Sequence, residues 1–125
     1  MHSTRRQGQE AEQLACTYLE HRGLQLITKN FACKTGEIDL ILHDRSAIQR
    51  HILVLVEVRS RNTMRFGGAA ASVTPAKQRR LQRTALYFCK RFRIYAEWPM
   101  RFDVVAIDGL PDKRQISWLK AAFEC

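Results

Sequence analysis

Ile52-Leu53-Val54-Leu55-Val56-Glu57-Val58-Arg59 is the stretch on which the reading of this chain turns. Its first five residues are all apolar, so a strand built from them is covered on both faces. Glu57 and Arg59 then close the run. A charge at the end of so dry a strand is costly unless something pairs with it. For two nearby acids the natural partner is a metal ion, so a second carboxylate close to Glu57 would decide its role.

One lies just upstream. Residues 37–43 alternate, with Ile38, Leu40 and Leu42 on one face and Glu37, Asp39 and Ile41 on the other. The polar segment 44–50 is short enough to join neighbouring antiparallel strands. Centring that connection on Ile48 sets Leu42 against Val54, Leu40 against Val56 and Ile38 against Val58, which makes one face wholly apolar. The same register sets Asp39 against Glu57 and Glu37 against Arg59 on the other. A slip of one residue breaks the apolar pairing and parts the two acids.

The rest of the chain supplies the frame. Residues 4–22 read as a helix, with Ala11, Leu14, Ala15, Tyr18 and Leu19 at helical spacing and Gly23 as its stop. Glu10 lies at the edge of that stripe, one turn before Leu14. Its ordinary role is a solvated acid near a helix N-terminus. Residues 24–31 form a first strand and Lys34-Thr35-Gly36 a turn. Residues 60–74 are a loop rich in Arg, Gly and Ala that carries Arg61, Arg65 and Phe66. Thr74-Pro75 starts a second helix, Thr as N-cap and Pro at the first helical position. That helix runs to about Arg93 over a buried stripe of Leu81, Ala85, Phe88 and Phe92, leaving Leu86 and Tyr87 off the stripe for a second copy or the C-terminal segment. Strands at 102–107 and 115–119 follow, punctuated by Pro99 and Gly109-Leu110-Pro111.

Composition narrows the partner. The 125 residues are 46% hydrophobic and 26% charged, which fits one globular domain. Against that background 21 Lys+Arg face 12 Asp+Glu, a net charge of +9. Such an excess favours polyanions, chiefly nucleic acid. The second helix concentrates it in Lys77, Arg79, Arg80, Arg83, Lys90, Arg91 and Arg93, and no acid occurs between Glu57 and Glu97. Cys16, Cys33, Cys89 and Cys125 form no CxxC pair, and the histidines stand at no zinc spacing to them. They read as reduced thiols of a cytoplasmic protein. No apolar run approaches the ~18 residues of a membrane span, so no membrane partner is expected.

The chemistry follows from the register. Directly opposed residues on antiparallel strands have Cβ atoms ~4.5–5.5 Å apart. Two carboxylates at that distance repel unless a cation sits between them. Mg²⁺ (or Mn²⁺) suits the gap, taking one or two protein carboxylates and filling its other positions with water and phosphate oxygens. Arg59, on the same strand face as Glu57, can steady charge developing on a phosphate. Asp39, Glu57 and Arg59 thus make a phosphodiester-hydrolysis site. The competing reading has Asp39 paired with a loop arginine and Arg59 with Glu37 across the strands.

An acid on the first helix, Gly36-Glu37-Ile38-Asp39-Leu40-Ile41, Val56-Glu57-Val58-Arg59-Ser60-Arg61, Val73-Thr74-Pro75-Ala76-Lys77-Gln78-Arg79-Arg80-Leu81 and Arg101-Phe102-Asp103-Val104-Val105-Ala106-Ile107 together resemble the YraN-like group of bacterial proteins. That group is similar to the PD-(D/E)XK restriction-endonuclease-like superfamily, near the Holliday-junction resolvases. The resemblance runs from about Gly8 to Ile107. It implies an α/β fold, an αβββαβ core with a mixed central sheet flanked by helices. It implies Asp39 and Glu57 as metal-binding acids, Glu10 as the additional acid from the first helix, and branched DNA as substrate for a homodimer. Arg59 occupies the place of the superfamily's lysine. Arginine stays protonated and cannot act as a base, although it can hold a phosphate bidentately.

Two functions from different classes therefore stay open. One is a Mg²⁺-dependent endonuclease in which Glu10, Asp39 and Glu57 hold metal and Arg59 stabilises the transition state. The other is a catalytically inactive nucleic-acid-binding module of the same fold. Both use Arg61, Arg65, Lys77, Gln78, Arg79, Arg80 and Arg83 as nucleic-acid contacts, with Gln78 on the inward side of the basic helix. Contacts of this kind hold phosphates by charge rather than by reading bases.

Overall fold

The dry run after Ile52 and the alternating strand before it form the middle of a five-stranded sheet. The computed structural model describes residues 4–46, 51–61 and 72–124. Its elements are α1 (Thr4–Glu20), β1 (Leu24–Cys33), β2 (Gly36–Asp44), β3 (Ile52–Arg61), α2 (Pro75–Arg91), a 3₁₀ turn (Arg93–Tyr95), β4 (Met100–Asp108) and β5 (Gln115–Phe123). The strands lie in sequence order; β3 and β4 run parallel and every other pair antiparallel. This is the mixed α/β sheet expected, in αβββαβ order with one further strand. No helix among the described residues is long and apolar enough to cross a membrane.

Each helix covers one face of the sheet. On the α2 side Leu81, Ala85 and Phe88 pack over Ile41, Leu53, Leu55, Phe102, Val104 and Ala106. On the α1 side Ala11, Ala15, Cys16 and Leu19 pack over Leu40, Leu42, Val54, Val56, Val105 and Ile107. Strand β3 alternates between the two clusters, which is why it can be apolar throughout. Each of these Leu, Ile or Val side chains contributes about 1.5–3 kcal/mol by leaving water.

The hairpin register is the expected one as far as it goes. Leu40 pairs with Val56 and Leu42 with Val54. The ladder ends at Leu40, however, and Ile38 does not continue the face of Leu40 and Leu42. It packs with Ile41 in the α2-side cluster, while Val58 stays on the α1 side. The cause is Asp39, whose Oδ2 accepts the Val58 backbone N–H at 2.8 Å. A side chain has taken an amide that a longer ladder would give to β2 backbone, so the strands part there.

Helix α2 starts where expected: Thr74 is the N-cap, its hydroxyl accepting the Lys77 N–H at 3.2 Å, with Pro75 next. Its end comes earlier than residue 93 because Phe92 leaves helical geometry (φ −109°, ψ 85°). Phe92 is consequently half out of the stripe, its ring 4.9 Å from Phe88 and 6.4 Å from Phe31. Leu86 and Tyr87 are exposed, as their position off the stripe requires. The turn before β2 is fastened to α2 by a Thr35–Thr84 hydroxyl hydrogen bond of 3.0 Å. Gly36 permits that approach: its φ is +149°, and a Cβ there would meet the Thr84 hydroxyl at 3.2 Å.

A second polar cluster sits in β4 and its neighbours. Buried Asp103 accepts from Arg101 Nε (2.9 Å), Arg101 Nη2 (3.0 Å), Trp118 Nε1 (2.9 Å) and the Ala121 backbone (2.9 Å). Arg101 Nη1 also reaches Asp44 at 2.9 Å, whose other oxygen takes the Ser46 amide and hydroxyl. Every carboxylate oxygen in this network has a donor, and it ties β2, β4 and β5 together across β3.

Candidate active site

Asp39 and Glu57 stand where β2 and β3 begin to part. Both have the strand parity of the α2-facing residues, Asp39 with Ile41 and Glu57 with Leu53 and Leu55. Glu57 is only 6% exposed and Asp39 is half-buried. The two carboxyls lie within hydrogen-bonding reach of each other. Burial, with the Glu57 carboxyl alongside, pushes Asp39 from 3.8 up to about 8; the Val58 amide pulls the other way and loses. Without a metal ion, the pair is therefore held together by a proton at neutral pH.

Two cations flank it. Arg59 Nη2 lies 3.5 Å and Lys77 Nζ 3.4 Å from the same oxygen, Glu57 Oε2. Neither makes a hydrogen bond, and that oxygen is buried without one. Arg59 turns to Glu57 and not across the strands to Glu37. Its own Nε is also buried without an acceptor. A fully buried carboxylate oxygen that no donor reaches closely fits an additional electrophile, such as a hard cation. Among the described residues no group of three or more His, Cys, Asp or Glu surrounds it. The donor set is thus a carboxylate pair of the sort Mg²⁺ accepts, with water and phosphate completing the shell.

The first-helix acid differs from expectation. Glu10 is exposed and lies 3.8 Å from Arg114, next to β5. The α1 acid whose charge bears on the pair is Glu12, half-buried, which acts on both Asp39 and Glu57. Burial raises the Glu12 pKa, as do Glu37 and Glu57, against a hydrogen bond from Asn30 and the charge of Lys29. Glu12 was legible in principle. It precedes Ala15, Cys16 and Leu19 by three, four and seven positions, so it extends the stripe that is buried.

The basic residues divide. Arg79, Arg80 and Arg83 are exposed along α2. Arg61 lies 3.3 Å from Asp108 at the end of β4. Gln78 donates its side-chain amide to the Val73 carbonyl at 3.0 Å, so it braces the start of α2. Arg65 and Phe66 lie outside the described residues. Lys77, expected among the backbone contacts, instead faces inward onto Glu57.

A buried acid pair beside a helix N-terminus, flanked by two cations on a mixed sheet, defines an α/β protein with a candidate metal centre. The model of the family described as Uncharacterised protein family UPF0102 matches residues 11–107. The chain belongs to that family, the YraN-like group. It is 45% identical to a UPF0102 protein of Legionella pneumophila (strain Philadelphia 1) over 97% of each chain. A UPF0102 protein of Nitrosococcus oceani is 47% identical over 95% of this chain and 92% of its own. One from Nitrosomonas eutropha is 44% identical over 99% and 98%.

Proposed function

We propose that this protein is a divalent-metal-dependent endonuclease acting on branched or structured DNA. The observation that carries the reading is the Asp39–Glu57 pair, buried together with an oxygen no donor satisfies. Asp39 and Glu57 hold the metal, and Glu12, rather than Glu10, lends its negative charge from α1. Mg²⁺ or Mn²⁺ bound there supplies Lewis acidity to a phosphodiester oxygen. Hydrolysis forms one P–O bond from water and breaks the P–O bond to one sugar; the water loses a proton to solvent and the departing alkoxide gains one. The chain's own part is to place the phosphate and to neutralise the charge it acquires. Arg59 contributes to the second with its guanidinium, whose Nε has no acceptor in the protein. Arg79, Arg80 and Arg83 hold flanking phosphates, and a two-fold branched substrate calls for two copies of the chain.

The test is nicking of a four-way junction with Mg²⁺ or Mn²⁺, alongside divalent-ion titration. Wild type is expected to nick and to bind the ion, and Glu57→Gln to do neither. A wild type that cuts no branched, single-stranded or duplex DNA with either ion would sink the enzymatic reading.

The arginine at position 59 favours a second reading, a nucleic-acid-binding module without hydrolysis. Both readings require the basic face. Replacing Arg79, Arg80 and Arg83 together with Ala is expected to weaken DNA binding at low salt and to flatten log K against log[salt] by about 3, roughly one unit per phosphate contact. An unchanged slope would remove nucleic acid as the partner and leave a structural role in a larger assembly.

A further inference from the structure

Lys77 is the one basic residue of α2 that is partly withdrawn from solvent; Arg79, Arg80, Arg83, Lys90 and Arg91 are exposed. Its Nζ lies 3.4 Å from Glu57 Oε2, with a side chain only 33% exposed. Arg59 approaches the same oxygen from the strand at 3.5 Å. Placement of Lys77 is over-determined. Thr74 and Pro75 fix the start of α2, Lys77 N–H is the amide that the Thr74 hydroxyl caps, and the Thr35–Thr84 hydrogen bond fastens α2 to the turn before β2. The helix therefore fixes the Lys77 backbone where its flexible stem brings the ammonium to the pair.

We infer that Lys77 is a catalytic residue, brought from α2 to hold a non-bridging oxygen of the phosphate undergoing cleavage. The inference rests on the nuclease reading and gives that site its second cation. An ammonium is a compact charge with three donors, which follows a phosphate as its geometry changes; the planar guanidinium of Arg59 is stiffer. In the metal-free protein the same ammonium neutralises Glu57 and competes with an incoming cation. When substrate and ion are bound, it turns from Glu57 to the phosphate. Lys77 thus opposes metal entry and assists the reaction.

Those opposite signs supply the test. Lys77→Ala and Lys77→Gln are made in the full chain, and two quantities are read for each. The first is Mn²⁺ affinity by calorimetry without DNA, and the second is single-turnover junction cleavage at saturating Mn²⁺. Removing the repelling charge is expected to tighten Mn²⁺ binding by about 3- to 10-fold. Cleavage is expected to slow by about 100-fold, the usual cost of one oxyanion contact. Adding Arg59→Lys to Lys77→Ala supplies an ammonium from the strand beside Glu57 and is expected to recover about 10-fold of that loss. A merely structural lysine would move both readouts the same way, or neither, and would show no rescue. Cleavage within about three-fold of wild type overturns the inference while leaving the nuclease reading in place. A wild type that binds Mn²⁺ but cuts nothing overturns both.

Discussion

Asp39→Asn is expected to make the metal-free protein more stable at pH 8 while abolishing its response to divalent ions. The sign follows from the direction of the shift. Asp39 titrates near 3.8 in an unfolded chain and at about 8 in the folded one, because burial and the neighbouring Glu57 carboxyl disfavour its charge. The folded state keeps a proton that the unfolded state releases. The stability this provides is complete below about pH 4 and is lost steadily as pH rises through 8. Asparagine mimics the protonated acid: its carbonyl can accept the Val58 amide and its NH₂ can donate to Glu57. Over the full window the shift corresponds to about 6 kcal/mol, and solvent reaching the half-buried carboxyl reduces the expected gain at pH 8 to about 2 kcal/mol. The gain should vanish near pH 4. Mn²⁺ should then raise the melting temperature of wild type at pH 8 and leave the variant unmoved. Cleavage should fall at least ~100-fold. Urea denaturation at pH 4, 6 and 8, with and without Mn²⁺, measures all but the last. A variant less stable than wild type at pH 8 would mean that the two carboxyls are not confined together.

The features legible in the sequence were those with a fixed period or a local chemical signature. Five apolar residues in a row placed β3 inside the sheet, and the alternation of β2 against it selected one register because a slip would expose an entire face. Thr74-Pro75 gave the start of α2 to the residue. Periodicity failed where a side chain replaced the backbone as a hydrogen-bond partner. Asp39 captures the Val58 amide, the ladder stops, and Ile38 crosses to the other core, which no pattern of apolar residues announces. The stripe of α1 was legible at Ala11, Ala15 and Leu19, which are buried, but not which acid borders it. Glu10 was placed at its edge from its position one turn before Leu14, which is only half-buried, whereas Cys16 joins Ala15 and Leu19 as the most deeply packed residues and Glu12 leads into them. Lys77 and Gln78 are adjacent in a run of polar residues, indistinguishable by composition. Only the docking of α2 on the sheet sends one to Glu57 and the other to the Val73 carbonyl. Arg61, read as a phosphate contact, meets Asp108 because β3 and β4 run parallel and pair those two positions.

The larger effect on the fold is expected from Asp103→Ala. Asp103 lies beside the site in the sheet, paired with Val56 while Glu57 pairs with Val104. Its carboxylate is nonetheless wholly occupied by Arg101, Trp118 and the Ala121 amide. Ala121 needs that acceptor: its φ is +50°, an irregular point of β5 where an alanine is held in a backbone region it seldom adopts. Truncating Asp103 removes four donors' partner at once and leaves the Arg101 guanidinium largely buried with only Asp44. A loss of about 3–5 kcal/mol is expected. Asp103→Asn keeps an acceptor and the shape, and should lose less, about 1–3 kcal/mol. Chemical denaturation gives both numbers. Divalent-ion affinity of either variant, measured at low temperature where it stays folded, should match wild type, because no ligand of the candidate metal centre has been touched. A loss of less than about 1 kcal/mol for Asp103→Ala would mean that β5 is held by its backbone ladder alone. A loss of ion affinity in the folded variant would instead join this carboxylate to the chemistry of Asp39 and Glu57. Either result would change whether Asp103, the one acid of the Arg101–Ile107 motif, is regarded as architecture.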